Sequence, residues 1–118
     1  MNNKDTILLI GNGPSATKNK FGSIIENFNT VGRINNFNTQ DYEEYVGGKT
    51  DIWFNGGNQG LKKRREKFNK IIVLIPFHLL DIKEKRVKER TQKRLGLSPD
   101  KYFIVDKKII KKFEKQTN

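Results

Sequence analysis

Three short stretches carry residue types suited to holding a phosphate or a polar ring. The first is Gly11-Asn12-Gly13-Pro14-Ser15, which follows the apolar run Ile7-Leu8-Leu9-Ile10. Glycines let a backbone approach a ligand closely, and a helix start offers free N–H groups and a positive dipole end to an anion. Asn12 and Ser15 add neutral hydrogen-bond donors. The second stretch is Val31-Gly32-Arg33-Ile34-Asn35-Asn36-Phe37, where polar side chains arrive at the end of an apolar segment. The third is Asp51-Ile52-Trp53-Phe54-Asn55-Gly56-Gly57, with a further Asn at a further segment end. Asn amides donate to phosphate or ribose and read a base edge without adding a repelling negative charge. Any one of these is compatible with ordinary turn chemistry, because Asn and Gly are common where chains turn. Three of them on one sheet edge would form a constellation. The first loop is neither the dinucleotide fingerprint G-x-G-x-x-G nor a Walker A loop, since no Gly-Lys-Ser/Thr follows it.

The elements that must position these loops are legible in the apolar pattern. Thr6–Ile10 reads as a buried strand, followed by a helix over Ala16–Phe28 that Gly22 weakens. Thr30–Asn35 and Thr50–Phe54 read as the next strands, with a short helix or turn at Asp41–Tyr45 between them, ended by Gly47-Gly48. Gly60–Asn69 is a basic helix candidate. Ile71–Ile75 is a strand stopped by Pro76, and Leu79–Leu95 is the clearest helix, with Gly96 as its C-terminal cap. Tyr102–Val105 followed by a helix capped at Asp106 is one reading of the remainder; a single helix from Pro99 onward is the other. Strands alternating with helices predict one α/β domain over 1–118. It would be a Rossmann-like, mostly parallel sheet with helices on both faces, and incomplete. Ligands bind beyond the carboxyl ends of such strands.

Composition narrows the partners. The chain has 118 residues and no cysteine, which excludes disulfides and thiolate-bound metals. The apolar runs are far too short to span a bilayer, and the first residues lack a secretory signal, so a cytoplasmic setting is expected. The net charge of +11 is lopsided, at −1 over residues 1–60 and +12 over 61–118. A basic half admits a nucleic-acid or anionic-membrane surface through Lys62-Lys63-Arg64-Arg65. Solvated helix faces account for it more simply, because the aromatic residues of that half sit beside aliphatic ones, as in a core. Nucleic acid is therefore the alternative partner, and peripheral membrane contact stays open. Asp41, Glu43 and Glu44 read as a solvated acidic turn. The lone His78, beside Pro76-Phe77, has no neighbouring titratable group in sequence to tune it for catalysis.

Gly11-Asn12-Gly13-Pro14-Ser15, Arg33-Ile34-Asn35-Asn36-Phe37, Tyr45-Val46-Gly47-Gly48-Lys49-Thr50-Asp51 and Phe54-Asn55 occur in an order that resembles sialyltransferase-like glycosyltransferases. The likeness extends both to the large animal-type family and to bacterial enzymes that open on a Gly-Asn-Gly-Pro-Ser loop. The resemblance implies a domain that binds a CMP-sugar, CMP-sialic acid above all, for inverting transfer to a hydroxyl of a glycan acceptor. It implies donor binding without a metal. Gly11, Asn12, Gly13, Pro14 and Ser15 would form the donor loop, with Asn12 and Gly13 at the phosphate and ribose. Asn35 and Asn36, and Asn55 with Gly56, would complete the pocket. Arg33 and the Gly47–Asp51 stretch would serve the fold first. The family's later Ser/Thr-Gly segment and catalytic His are missing, so no catalytic residue is assigned. The chain is expected to stop before the second half of the active site and to be inactive alone. The sequence leaves the oligomeric state open.

Overall fold

The computed structural model describes residues 6–117. Five short strands, β1 (Ile7–Ile10), β2 (Thr30–Ile34), β3 (Ile52–Asn55), β4 (Lys70–Val73) and β5 (Phe103–Ile104), pair in sequence order into one sheet. Every pairing is parallel. The helices are α1 (Gly22–Glu26), α2 (Glu43–Val46), α3 (Phe77–Leu95) and α4 (Lys107–Thr117). The expected α/β class, with an open Rossmann-like parallel sheet, is the one observed.

The register assigns each strand residue to a face. Arg33 lies beside Trp53, Trp53 beside Ile71, and Asn55 beside Val73, so these share one side. Val31, Arg33, Trp53, Asn55 and Val73 on that side are all buried. Trp53 and Val73 form one core with Phe37, Leu61, Ile75 and the α3 residues Leu80, Val87 and Leu95. On the opposite side Ile7, Leu9 and Phe103 are 52%, 53% and 60% exposed, although Ile52 is buried. The helical cover expected on both faces is thus uneven. The topology gives the reason. A sheet that adds every strand in the same direction through right-handed crossovers keeps those crossovers on one side. Burying a Leu- or Val-sized side chain contributes roughly 1.5–3 kcal/mol, so the α3 side carries most of the hydrophobic stabilisation.

The helix expected over Ala16–Phe28 is split. Pro14–Thr17 forms one turn of 3-10 helix, and α1 begins only at Gly22. Gly22 stands where a Cβ would lie 2.0 Å from the carbonyl oxygen of Glu43 and 2.8 Å from that of Glu44, so close packing of α1 on α2 takes precedence over helix propensity. The basic helix expected over Gly60–Asn69 does not form. Its residues are held by side chains instead: Lys62 N donates to Asn36 Oδ1 at 2.8 Å, and the Arg64 guanidinium stacks 3.6 Å above the Phe37 ring. α3 starts two residues earlier than expected, ends at Gly96 in the left-handed region (φ 69°), and has one non-helical residue, Lys83. Pro99–Lys101 is a separate 3-10 turn and β5 pairs with β4, so the strand-then-helix reading of the last segment is the one observed. Asp106 Oδ1 accepts from Lys108 N at 2.8 Å, as an N-cap does.

Candidate functional site

The carboxyl ends of β1 and β2 enclose a cleft of about 390 Å³. Its lining includes Gly11, Asn12, Gly13, Arg33, Asn36, Phe37, Asn38 and Tyr42. The two loop glycines differ from most others in the chain. Gly47, Gly57 and Gly96 have positive φ, and Gly22 and Gly32 sit where a Cβ would collide with neighbouring atoms. Gly11 and Gly13 are not among the positive-φ glycines. A Cβ on Gly11 would meet nothing within 4 Å, and one on Gly13 would meet only Ser15 Oγ at 3.9 Å. Among the described residues nothing requires glycine there, and its lack of a side chain leaves the loop backbone open to the cleft.

The Asn residues divide into two roles. Asn12 and Asn36 line the cleft. Asn12 Nδ2 also donates to Ile34 O at 2.7 Å, and Asn36 Nδ2 donates to Gly60 O at 3.1 Å. Asn35 and Asn55 lie outside the cleft lining and brace loops. Asn35 adopts φ 50°, which Asn tolerates better than most residues, and its Oδ1 accepts from Gly56 N at 3.2 Å. Its carbonyl accepts from Trp53 Nε1 at 2.8 Å. Asn55 is 2% exposed; its Oδ1 accepts from Gly57 N at 3.0 Å, while its Nδ2 is buried with no partner among the described residues. A buried donor left unpaired costs about 1–3 kcal/mol. The amides of Asn12 and Asn35 therefore lace neighbouring strand ends together, that of Asn55 fixes its own loop, and the three do not converge on one cavity. Ser15 lines an adjoining hollow with Phe21 and Ile25, and Gly56 lines a separate one at the ends of β3 and β4. Pro14 opens the 3-10 turn, which is too short to present the helix N-terminus expected for phosphate binding.

Arg33 gives the cleft its charge. The residue is 2% exposed. Nε donates to Lys49 O at 3.0 Å and to Thr50 Oγ1 at 2.9 Å, and an Nη donates to Val46 O at 2.8 Å. Burial lowers its pKa from the ordinary arginine value, with the Glu26 carboxylate opposing; a guanidinium so placed stays protonated. Its contacts are to neutral oxygens, and among the described residues no carboxylate forms an ion pair with it. A cationic centre without a direct counterion lines a cleft whose glycine backbone is open to a ligand. That arrangement favours an anion.

The Gly47–Asp51 stretch is structural. Glu26 Oε1 accepts from Gly48 N and, at 2.9 Å, from Lys49 N; Asp51 Oδ2 accepts from Val31 N at 2.8 Å. Lys49 Nζ donates to Phe28 O at 2.6 Å. His78 is exposed on α3. Arg64, besides stacking on Phe37, donates to Phe37 O at 2.8 Å and pairs with Glu66 at 2.9 Å, so one of the four basic residues at 62–65 is committed to the core. Sequence reasoning missed Tyr42 and Asn38 as cleft residues, and no local motif marks them. It set Arg33 aside as structural, whereas its burial beside the glycine loop also makes it the charge of the site.

The fold is an open, all-parallel α/β sheet, consistent with an incomplete Rossmann-like domain, with a glycine-lined cleft and a buried guanidinium beyond its first two strands. Residues 6–117 match the family model of glycosyltransferase family 29 (sialyltransferase), and the chain belongs to that family. Comparison with curated proteins gave no match. Among the described residues no helix is long and apolar enough to cross a membrane.

Proposed function

We propose that the cleft between the ends of β1 and β2 is a donor site that takes the CMP portion of a CMP-sugar, CMP-sialic acid in the first instance. The chain would then supply the donor-binding portion of an inverting transfer to a glycan hydroxyl. The observation that carries this reading is the pair Gly11 and Gly13, glycines that no internal contact or backbone angle requires, at the wall of a cleft lined by a buried guanidinium. In such a transfer the phosphate departs as an anion, and fixed donors placed around it stabilise the developing charge. Asn12 and the loop backbone supply neutral donors, Arg33 supplies the field, and Asn36 lines the same cleft. The described lining contains no His, Asp or Glu, so the cleft binds and positions while a general base must come from elsewhere. Donor binding is taken to need no metal.

Calorimetric titration with CMP, with and without EDTA, tests this. Saturable, EDTA-insensitive binding that Asn12→Ala weakens is expected. Absence of binding, or indifference to that change, overturns the assignment.

A further inference from the structure

We infer that the carboxyl ends of β3 and β4 hold a second, separate subsite for an oxyanion, gripped by Arg90 and Arg94 of α3. A cavity of about 250 Å³ opens there, lined by Gly56, Gly57 and Asn58 on the loop and by Arg90, Thr91 and Arg94 on the helix. It shares no lining residue with the cleft at the ends of β1 and β2. Arg90 and Arg94 are spaced i,i+4 on one helix, an arrangement in which like charges repel. Neither forms an ion pair among the described residues, although α3 carries acidic residues that pair elsewhere, such as Glu84 with Lys88 at 3.2 Å. Arg94 is already aimed at the loop, its Nη1 donating to Gly57 O at 2.8 Å. Two arginines that line one cavity and form no ion pair among the described residues, beside polar backbone, suit a carboxylate or phosphate oxyanion.

A further observation points to a ligand at this place. Gly56 lacks positive φ, and a Cβ there would meet only ordinary contacts, Asn58 Oδ1 at 3.4 Å and Leu74 O at 3.6 Å. As at Gly11, the glycine leaves backbone open to an approaching group. Gly57, by contrast, is set by the fold: φ is +57° and a Cβ would meet Thr91 Oγ1 at 3.1 Å. The loop is thereby held rigidly against the helix that carries both arginines.

The oxyanion has two chemical sources, the carboxylate of a sugar acid or a phosphate group. Amide chemical-shift titrations of the 118-residue chain with free sialic acid and, separately, with inorganic phosphate distinguish them. Saturable shifts at Gly56, Gly57 and Thr91 are expected with at least one probe, and the tighter probe names the source. Arg90→Gln alters an exposed side chain with no hydrogen bond or ion pair among the described residues, so the fold is kept; it should weaken binding at least about tenfold. Asn12→Ala should leave these shifts intact, which separates this subsite from the CMP cleft. No saturable shift at these amides, or shifts that Arg90→Gln leaves unchanged, would overturn the inference.

Discussion

Asn12 and Ile34 are joined across the first two strand ends by a hydrogen bond of 2.7 Å from the Asn12 amide to the Ile34 carbonyl. Asn12, which lines the cleft, is thus also the brace that fixes the loop beside β2. The two tasks have different magnitudes. An exposed bond of this kind contributes about 0.5–1.5 kcal/mol, while a misplaced loop forfeits the geometry of the whole cleft. Asn12→Ala is expected to lower the unfolding free energy by about that amount in urea titrations and to reduce CMP affinity by a larger factor. Equal losses in both would make the residue a brace alone.

Gly11 and Gly22 should respond oppositely to alanine. At Gly11 the space is open and φ is not positive, so Gly11→Ala should be neutral or stabilise by up to about 1 kcal/mol through the unfolded chain. Its CMP affinity should nonetheless fall. At Gly22 the added Cβ meets the Glu43 carbonyl, and Gly22→Ala should cost about 1–3 kcal/mol. Thermal melts of the two variants, run beside CMP titrations, check both statements. A destabilised Gly11→Ala variant would remove the argument from unneeded glycine.

Arg33→Lys keeps a positive charge but loses the forked donor set that reaches Val46, Lys49 and Thr50. An expected loss of about 1–3 kcal/mol in chemical denaturation follows from leaving buried carbonyls unpaired. An unchanged midpoint would show that the Arg33 fork does not hold the 46–50 turn.

Acid should loosen the same turn through Glu26. Hydrogen bonds from the Lys49 and Gly48 amides, with Arg33 and Lys49 nearby, hold its carboxyl below the ordinary value of 4.5. A carboxylate depressed in the folded state contributes stability that is complete above the unfolded value and is lost as pH falls through the folded one. The stability gap between the native chain and Glu26→Gln should therefore be constant near neutrality and close below about pH 4.5. Urea midpoints measured from pH 7 to pH 3 supply the comparison; a gap independent of pH would remove Glu26 from the account.

The sequence by itself determined the strands and the loops at their ends. Period and apolar runs placed β1 to β4 within two residues, because a strand buried on one side at least must be apolar wherever it meets the core. Gly96 and Asp106 marked helix ends through chemistry confined to a few adjacent residues. The order of the four motif stretches was enough to indicate the family, and the loop that lines the cleft after β1 was visible as glycines and amides. What only the tertiary structure decided was which amides share a cavity. Asn35 and Asn36 are adjacent in the chain, yet one braces the Gly56 loop and the other lines the cleft, because side-chain direction at a strand end depends on the backbone angle there. The segment 60–69 reads as helical in composition, but contacts between Arg64 and Phe37 and between Lys62 and Asn36 outweigh a weak local propensity. The pairing of Arg90 and Arg94 with the Gly56–Asn58 loop spans more than thirty residues of chain, a distance over which composition carries no information about contact.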